Sequence, residues 1–215
     1  MIQKEILSNT EQKIIDTATV LFAQKGYDAT STRDICSAAG VNISSISYYF
    51  RGKEELYQKI VESITGNVIL HMQSAFSSEE IHKAFCSMSK NQKIELFLGM
   101  IEHIIDYFYS DKISIHSIMI IFREQITSGV NLNAIGYKMF KKLLASILEK
   151  DENDKEVIFR CLTIFGQIHS ARVLTQFSLK MMNQSEYTSE DVKLFKNIVI
   201  TQTKSILAGL DGGNA

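Results

Sequence analysis

The residues best equipped for chemistry lie close together, between Ala29 and Tyr57, where the chain reads ATSTRDICSAAGVNISSISYYFRGKEELY. Ser, Asn and Tyr are indifferent helix formers, but their hydroxyl, amide and phenol groups bond phosphates and base edges in the major groove of a duplex. Here they stand as Asn42, Ser44, Ser45, Ser47, Tyr48 and Tyr49, with Ile43 among them. A solvated polar face is the plainer reading of such a stretch taken alone, so the surrounding elements decide the matter.

Those elements are legible. Ile14, Ile15, Ala18, Leu21 and Phe22 fall on one face of a first helix, for which Thr10 is the expected N-cap and Gly26 the stop. Ser31 followed three residues on by Asp34 gives a capping-box start to a short second helix, with Ile35 and Ala38 as its inward face. Gly40 suits a left-handed turn and Val41 can bury between two helices. A third helix is expected from Asn42 to Phe50, with Ile46 and Phe50 inward, Asn42, Ser45 and Tyr49 opposite, and Ile43, Ser44, Ser47 and Tyr48 flanking. Leu56, Ile60, Ile64 and Val68, four apart, then call for a long fourth helix.

The ordered set of Phe22, Gly26 and Tyr27, then Ser31, Thr32 and Ile35, then Ala39-Gly40-Val41, then Tyr48, Phe50, Lys53, Glu54, Glu55 and Leu56 resembles the TetR family signature. The likeness covers about 48 residues, Thr10 to Tyr57. It implies a three-helix DNA-binding domain followed by a helical domain for ligand binding and dimerisation. Thr32 and Arg33 would touch DNA, Asn42 to Ser45 would line base edges, Tyr48 and Tyr49 would meet backbone or bases, and Lys53 would pair with a phosphate. Ser47 departs from the usual tyrosine, shortening or removing one phosphate contact. The Asn42-Ile43 start with a small polar residue at 47, and more faintly Phe122-Arg123-Glu124 and Gly166-Gln167, is similar to the CecR-like branch.

The remaining composition fits an all-α chain of about nine helices, with a DNA-binding domain over residues 1–55 and a ligand-binding and dimerisation domain over 56–215. Helical spacing runs through most of the 215 residues, no strict alternation suggests a sheet, and proline is absent. The longest apolar run, Ile113 to Phe122, is interrupted by His116 and falls well short of the roughly 20 residues that span a bilayer. The opening residues lack a secretory apolar core, so a cytoplasmic protein without membrane contact is expected. Cys36, Cys86 and Cys161 show no CxxC pairing and read as reduced and mostly buried. No GxSxG, HExxH or glycine-rich phosphate loop is present and no two histidines stand four apart, which argues against an enzyme, a metal site or a cofactor.

Charge sharpens the expectation. Residues 1–57 carry six Lys or Arg against seven Asp or Glu, a net of −1, equal to that of the whole chain. DNA affinity must then come from few ion pairs and many neutral hydrogen bonds. In the second half, Val157–Met182 reads as one helix apolar all round, which must be covered on two sides. With the last helix it is the expected homodimer interface, through Val157, Cys161, Phe165, Phe177, Val199 and Ile206. His103, Tyr107, His116, Arg123, Gln167 and His169 are the polar interruptions expected to orient an unknown small-molecule effector in an apolar cavity. The regulator would be a repressor of a palindromic operator in double-stranded DNA, released by that effector; the alternative is a DNA-binding dimer that activates, or acts through a protein partner without an inducer.

Overall fold

The computed structural model describes residues 8–76, 87–127 and 136–209, and among them there are ten helices and no strand. In chain order they are α1 (Asn9–Lys25), α2 (Thr32–Ala39), α3 (Ser44–Phe50), α4 (Lys53–Phe76), α5 (Lys90–Phe108), α6 (Ile115–Thr127), α7 (Gly136–Leu148), α8 (Lys155–Val173), α9 (Thr175–Met182) and α10 (Ser189–Gly209). The all-α class expected from periodicity is what the chain forms. Cys86 and the tail 210–215 lie outside the described residues.

The chain divides into two compact units, Met1–Val68 with Ser114–Leu132, and Ile69–Ile113 with Asn133–Ala215. In the first, one apolar cluster joins Ile14, Ala18 and Phe22 of α1, Ile35 of α2, Ile46 and Phe50 of α3, Leu56 and Ile60 of α4, and Ile120 of α6. Every helix of the unit gives one stripe to this cluster, so each polar face is left outside. In the second, Phe97, Ile101 and Ile105 of α5, Phe140 and Leu144 of α7, and Ile164 and Ile168 of α8 are buried. Rings of this core lie close, with Phe97 and Phe140 centroids 4.2 Å apart and Phe140 and Phe165 4.8 Å apart.

Local chemistry corrects several expected boundaries. Ser8, not Thr10, caps α1, its hydroxyl accepting from the Glu11 N–H at 3.2 Å. The inward face of α2 is Ile35, Cys36 and Ala39, while Ala38 is exposed. α3 starts at Ser44 instead of Asn42, because the Asn42 side-chain oxygen takes the Ser44 N–H at 3.0 Å and holds Asn42 outside the helix. The expected single helix over Val157–Met182 is two, α8 and α9, bent by 66° at Leu174. The Ser178 hydroxyl reaches the Leu174 and Thr175 carbonyls, and the Tyr187 hydroxyl donates to the Ala171 carbonyl at 2.8 Å, which satisfies backbone groups around the bend. No single helix among the described residues is long and apolar enough to cross a membrane.

Candidate DNA-binding site

The site is built on α2, the turn after it, and α3. Ser31 and Asp34 form the full capping box: the Ser31 hydroxyl accepts from the Asp34 N–H at 3.1 Å, and the Asp34 carboxylate accepts from the Ser31 N–H at 3.0 Å. The Ser31 hydroxyl also donates to the Asp34 carboxylate at 2.7 Å, and this bond first, then the one from the Ser31 N–H, holds the Asp34 carboxyl below its ordinary range. Gly40 ends α2 at φ 61° and ψ 42°, the left-handed conformation that costs a side-chain-bearing residue about 1–2 kcal/mol. The Val41 N–H then bonds the Cys36 carbonyl at 3.0 Å, and Val41 packs against the unit's core. The chain is thereby turned so that α3 lies over the cluster on Ile46 and Phe50, both buried.

With those two residues inward, the opposite edge of α3 is set. Ser44, Ser47 and Tyr48 are exposed, Tyr48 at 81%, and Ile43 just before the helix is 51% exposed. Ser45 and Tyr49 are half-buried, and Tyr49 packs against the core cluster, so the outward phenol is Tyr48 and the expected order of faces is revised. The two rings meet edge to face with centroids 4.9 Å apart, which steadies Tyr48 on the surface. Asn42 bonds locally: its side-chain oxygen accepts from the Ser44 N–H and from the Ser44 hydroxyl at 2.9 Å.

Cations around this edge are sparse. Arg33 on α2 is exposed. Arg51, itself left-handed at φ 55°, lies 3.8 Å from Glu55 in an exposed pair. Lys53 donates to the Tyr27 carbonyl at 3.0 Å and sits 4.1 Å from the centre of the Tyr27 ring. One of its N–H donors is thus committed to the loop between α1 and α2, and its other donors are what a phosphate would meet. The surface suits a polyanion read mainly by neutral groups.

Behind α1 the same unit carries a clasp. Arg123 of α6 donates to the Phe22 carbonyl at 2.5 Å and the Ala23 carbonyl at 3.3 Å, the last carbonyls of α1, where a cation is favoured. Beside it the Tyr57 hydroxyl donates to Glu124 at 2.5 Å, and burial followed by that carboxylate pushes the Tyr57 hydroxyl upward in pKa. Arg123, expected to orient an effector, fastens the end of α1 through these two bonds. Clefts also fall here: a cavity of about 620 Å³ is lined by Gly26, Tyr27, Glu54, Tyr57, Arg123 and Glu124 among others.

The other expected effector residues divide by unit. His116 is half-buried on α6 of the first. In the second, His71 stacks between His103 (centroids 4.6 Å) and Tyr107 (4.1 Å), and His169 lies against Phe108 and Phe165. Burial drives the His169 imidazole down to about 4, and burial with His103 lowers His71. The Gln167 side-chain oxygen is buried with no hydrogen-bond partner. Among the described residues no three His, Cys, Asp or Glu gather as a metal site.

The expected interface residues also separate. Val157, Cys161 and Val199 are buried within the chain, Phe165 packs at a tilt against Phe140, and of the six only Phe177 and Ile206 are exposed. The exposed apolar surface lies on neighbours of those residues: Phe159, 65% exposed, and Leu162 on α8, and Leu194 and Ile198 on α10. For the pair on α8, the three-residue spacing was the signal, hidden because every face of that apolar segment looked alike.

A capped short helix, a glycine turn and a second helix with its polar edge outward make a helix-turn-helix, the unit that DNA-binding regulators use. Residues 14–60 match the bacterial regulatory proteins of the tetR family, and residues 94–210 match the C-terminal domain of the HTH-type transcriptional dual regulator CecR. The probable HTH-type transcriptional regulator YttP of Bacillus subtilis (strain 168) is 30% identical over 190 residues, 85% of this chain and 81% of that protein. The HTH-type transcriptional dual regulator CecR of Shigella flexneri is 25% identical over 93% of this chain and 92% of its own. A crystallised TetR-like transcriptional regulator from Rhodococcus sp. RHA1 shares the fold at a TM-score of 0.64 and 16% identity, over 93% of this chain and 96% of that one. The chain belongs to the TetR family of DNA-binding transcriptional regulators, in its CecR-like branch, and these relatives are regulators, not enzymes.

Proposed function

We propose that the protein is a cytoplasmic homodimer that represses transcription from a palindromic operator and is released by a small apolar or amphipathic effector. The observation that carries this reading is the outward edge of α3, where Ser44, Ser47 and Tyr48 are exposed while Ile46 and Phe50 anchor the helix. Thr32, Arg33 and Lys53 would add backbone contacts at its margins, Asn42 and Ile43 extend the reading surface, and the half-buried Ser45 and Tyr49 support it from behind.

Dimerisation is supported by the exposed apolar side chains of α8 and α10, since one helix-turn-helix reads one half-site and two half-sites a turn apart need a two-fold partner. Phe159, Leu162, Leu194 and Ile198 join Phe177 and Ile206 as its contacts, and Val157, Cys161 and Val199 support that face from inside. For the effector, the aromatic and imidazole side chains of the second unit, His103, Tyr107 and His169, with the unpartnered Gln167 oxygen, offer an apolar wall with few polar groups. α4 runs in the chain from the first unit into the second, and an effector that favours one of its positions would change operator affinity by the ratio of its affinities for the two states. That a relative is described as a dual regulator favours activation at some promoters as the second reading.

Sedimentation of the protein with operator duplex tests the assembly, and the expected stoichiometry is two chains per duplex. Adding fractionated cellular metabolites to that complex should free the DNA with at least one apolar fraction. A single chain per duplex, or a complex that every fraction leaves intact, contradicts the corresponding half of the proposal.

A further inference from the structure

Ile43 is a half-exposed aliphatic side chain in the middle of a polar reading edge, and packing does not account for it. It is 51% exposed, while Ile46 and Phe50 anchor the helix. Its neighbours on both sides, Asn42 and Ser44, are exposed and polar. The apolar patch is therefore about the size of one base edge, too small and too closely fenced by hydrogen-bonding groups for a protein partner.

The bonding of those neighbours fixes which base edge fits. The Asn42 side-chain oxygen is occupied twice, by the Ser44 N–H at 3.0 Å and the Ser44 hydroxyl at 2.9 Å. What Asn42 offers outward is its amide N–H₂, a donor. The sequence thus presents a donor beside an aliphatic group. In the major groove thymine alone sets an acceptor, O4, beside a methyl group; guanine and adenine carry no methyl and cytosine offers a donor.

We infer that Ile43 is a specificity-determining residue that packs on the 5-methyl group of a thymine in each operator half-site, with the Asn42 amide donating to the acceptor beside that methyl. The inference rests on the reading of α3 as the DNA-facing helix and goes beyond it by naming the base. No charge is needed for this discrimination, which suits an edge with few cations.

The test uses the full-length dimer and a duplex recovered by selection from random sequence. Each thymine of the half-site is replaced in turn by deoxyuridine, which removes the methyl and keeps O4. At one thymine position, binding should weaken about fourfold for each methyl lost. Ile43→Ala should bind the thymine duplex more weakly and lose its sensitivity to deoxyuridine at that position. Ile43→Val, which keeps the branched methyls, should retain the sensitivity, and both variants should melt as the parent does. Indifference of the parent to deoxyuridine at every position overturns the inference while leaving DNA reading by α3 intact. So does an undiminished deoxyuridine effect in Ile43→Ala. Recovery of no duplex at all overturns the DNA-facing reading and this inference together.

Discussion

At the scale of single residues, the first unit is held by side-chain bonds to backbone, some legible in the sequence and some visible only in the folded chain. Ser31 was readable as a cap from its spacing to Asp34, and it is one. Ser31→Ala should lower the melting midpoint by an amount worth about 1 kcal/mol, and thermal unfolding followed by circular dichroism checks it. Gly40→Ala, forced to φ 61°, should cost about 1–2 kcal/mol in the same assay. Arg123's fastening role was not readable: in sequence it is a charge interrupting an apolar helix, and its partners Phe22 and Ala23 stand 101 and 100 residues away. Arg123→Ala removes both donors from the end of α1 and should destabilise by about 1–3 kcal/mol, with Arg123→Lys restoring part of the loss. An Arg123→Ala protein as stable as the parent would show that the clasp contributes nothing.

At the scale of elements, helix type and order followed from periodicity because each helix of the first unit exposes one clean stripe to one core. α3 kept its inward pair, Ile46 and Phe50, as expected. Its start slipped by two residues because a local Asn42 to Ser44 bond competes with the helix, a contest that hydrophobic spacing does not register. The α8–α9 segment failed for the opposite reason. Apolar residues on every side give no face to choose, and the bend at Leu174 arises with bonds from Ser178 and Tyr187 that spacing cannot foresee. Phe159→Glu with Leu162→Glu places charge on the exposed apolar surface of α8 while leaving Val157 and Cys161 untouched. The double variant should stay folded and sediment as a monomer at concentrations where the parent is a dimer; an unchanged dimer would move the interface elsewhere.

At the scale of the whole molecule, charge and burial set how solution conditions act. The folded chain keeps His169 neutral down to about pH 4, whereas an unfolded chain takes up that proton near pH 6.5. Between those values the unfolded state binds more protons, so stability is full above about pH 6.5 and falls as the pH drops towards 4. The loss should be on the order of 3 kcal/mol, and denaturant titrations across that window should show it flattened in His169→Phe. The carboxyls lowered by their caps, Asp34 and Asp191, act in the same direction but at more acidic pH. DNA affinity is governed by different groups. With a net charge of −1 over residues 1–57, the dependence of log affinity on log salt should be no steeper than about −8 per dimer. The most direct measurement of the central claim is selection of duplexes from a random pool by the parent protein and by a variant carrying Ser44→Ala, Ser47→Ala and Tyr48→Ala, three exposed positions whose loss leaves the core intact. The parent should enrich one palindrome with half-sites about one helical turn apart, and the variant should enrich nothing. Enrichment of the same palindrome by both proteins would contradict the claim that the outer edge of α3 reads the DNA.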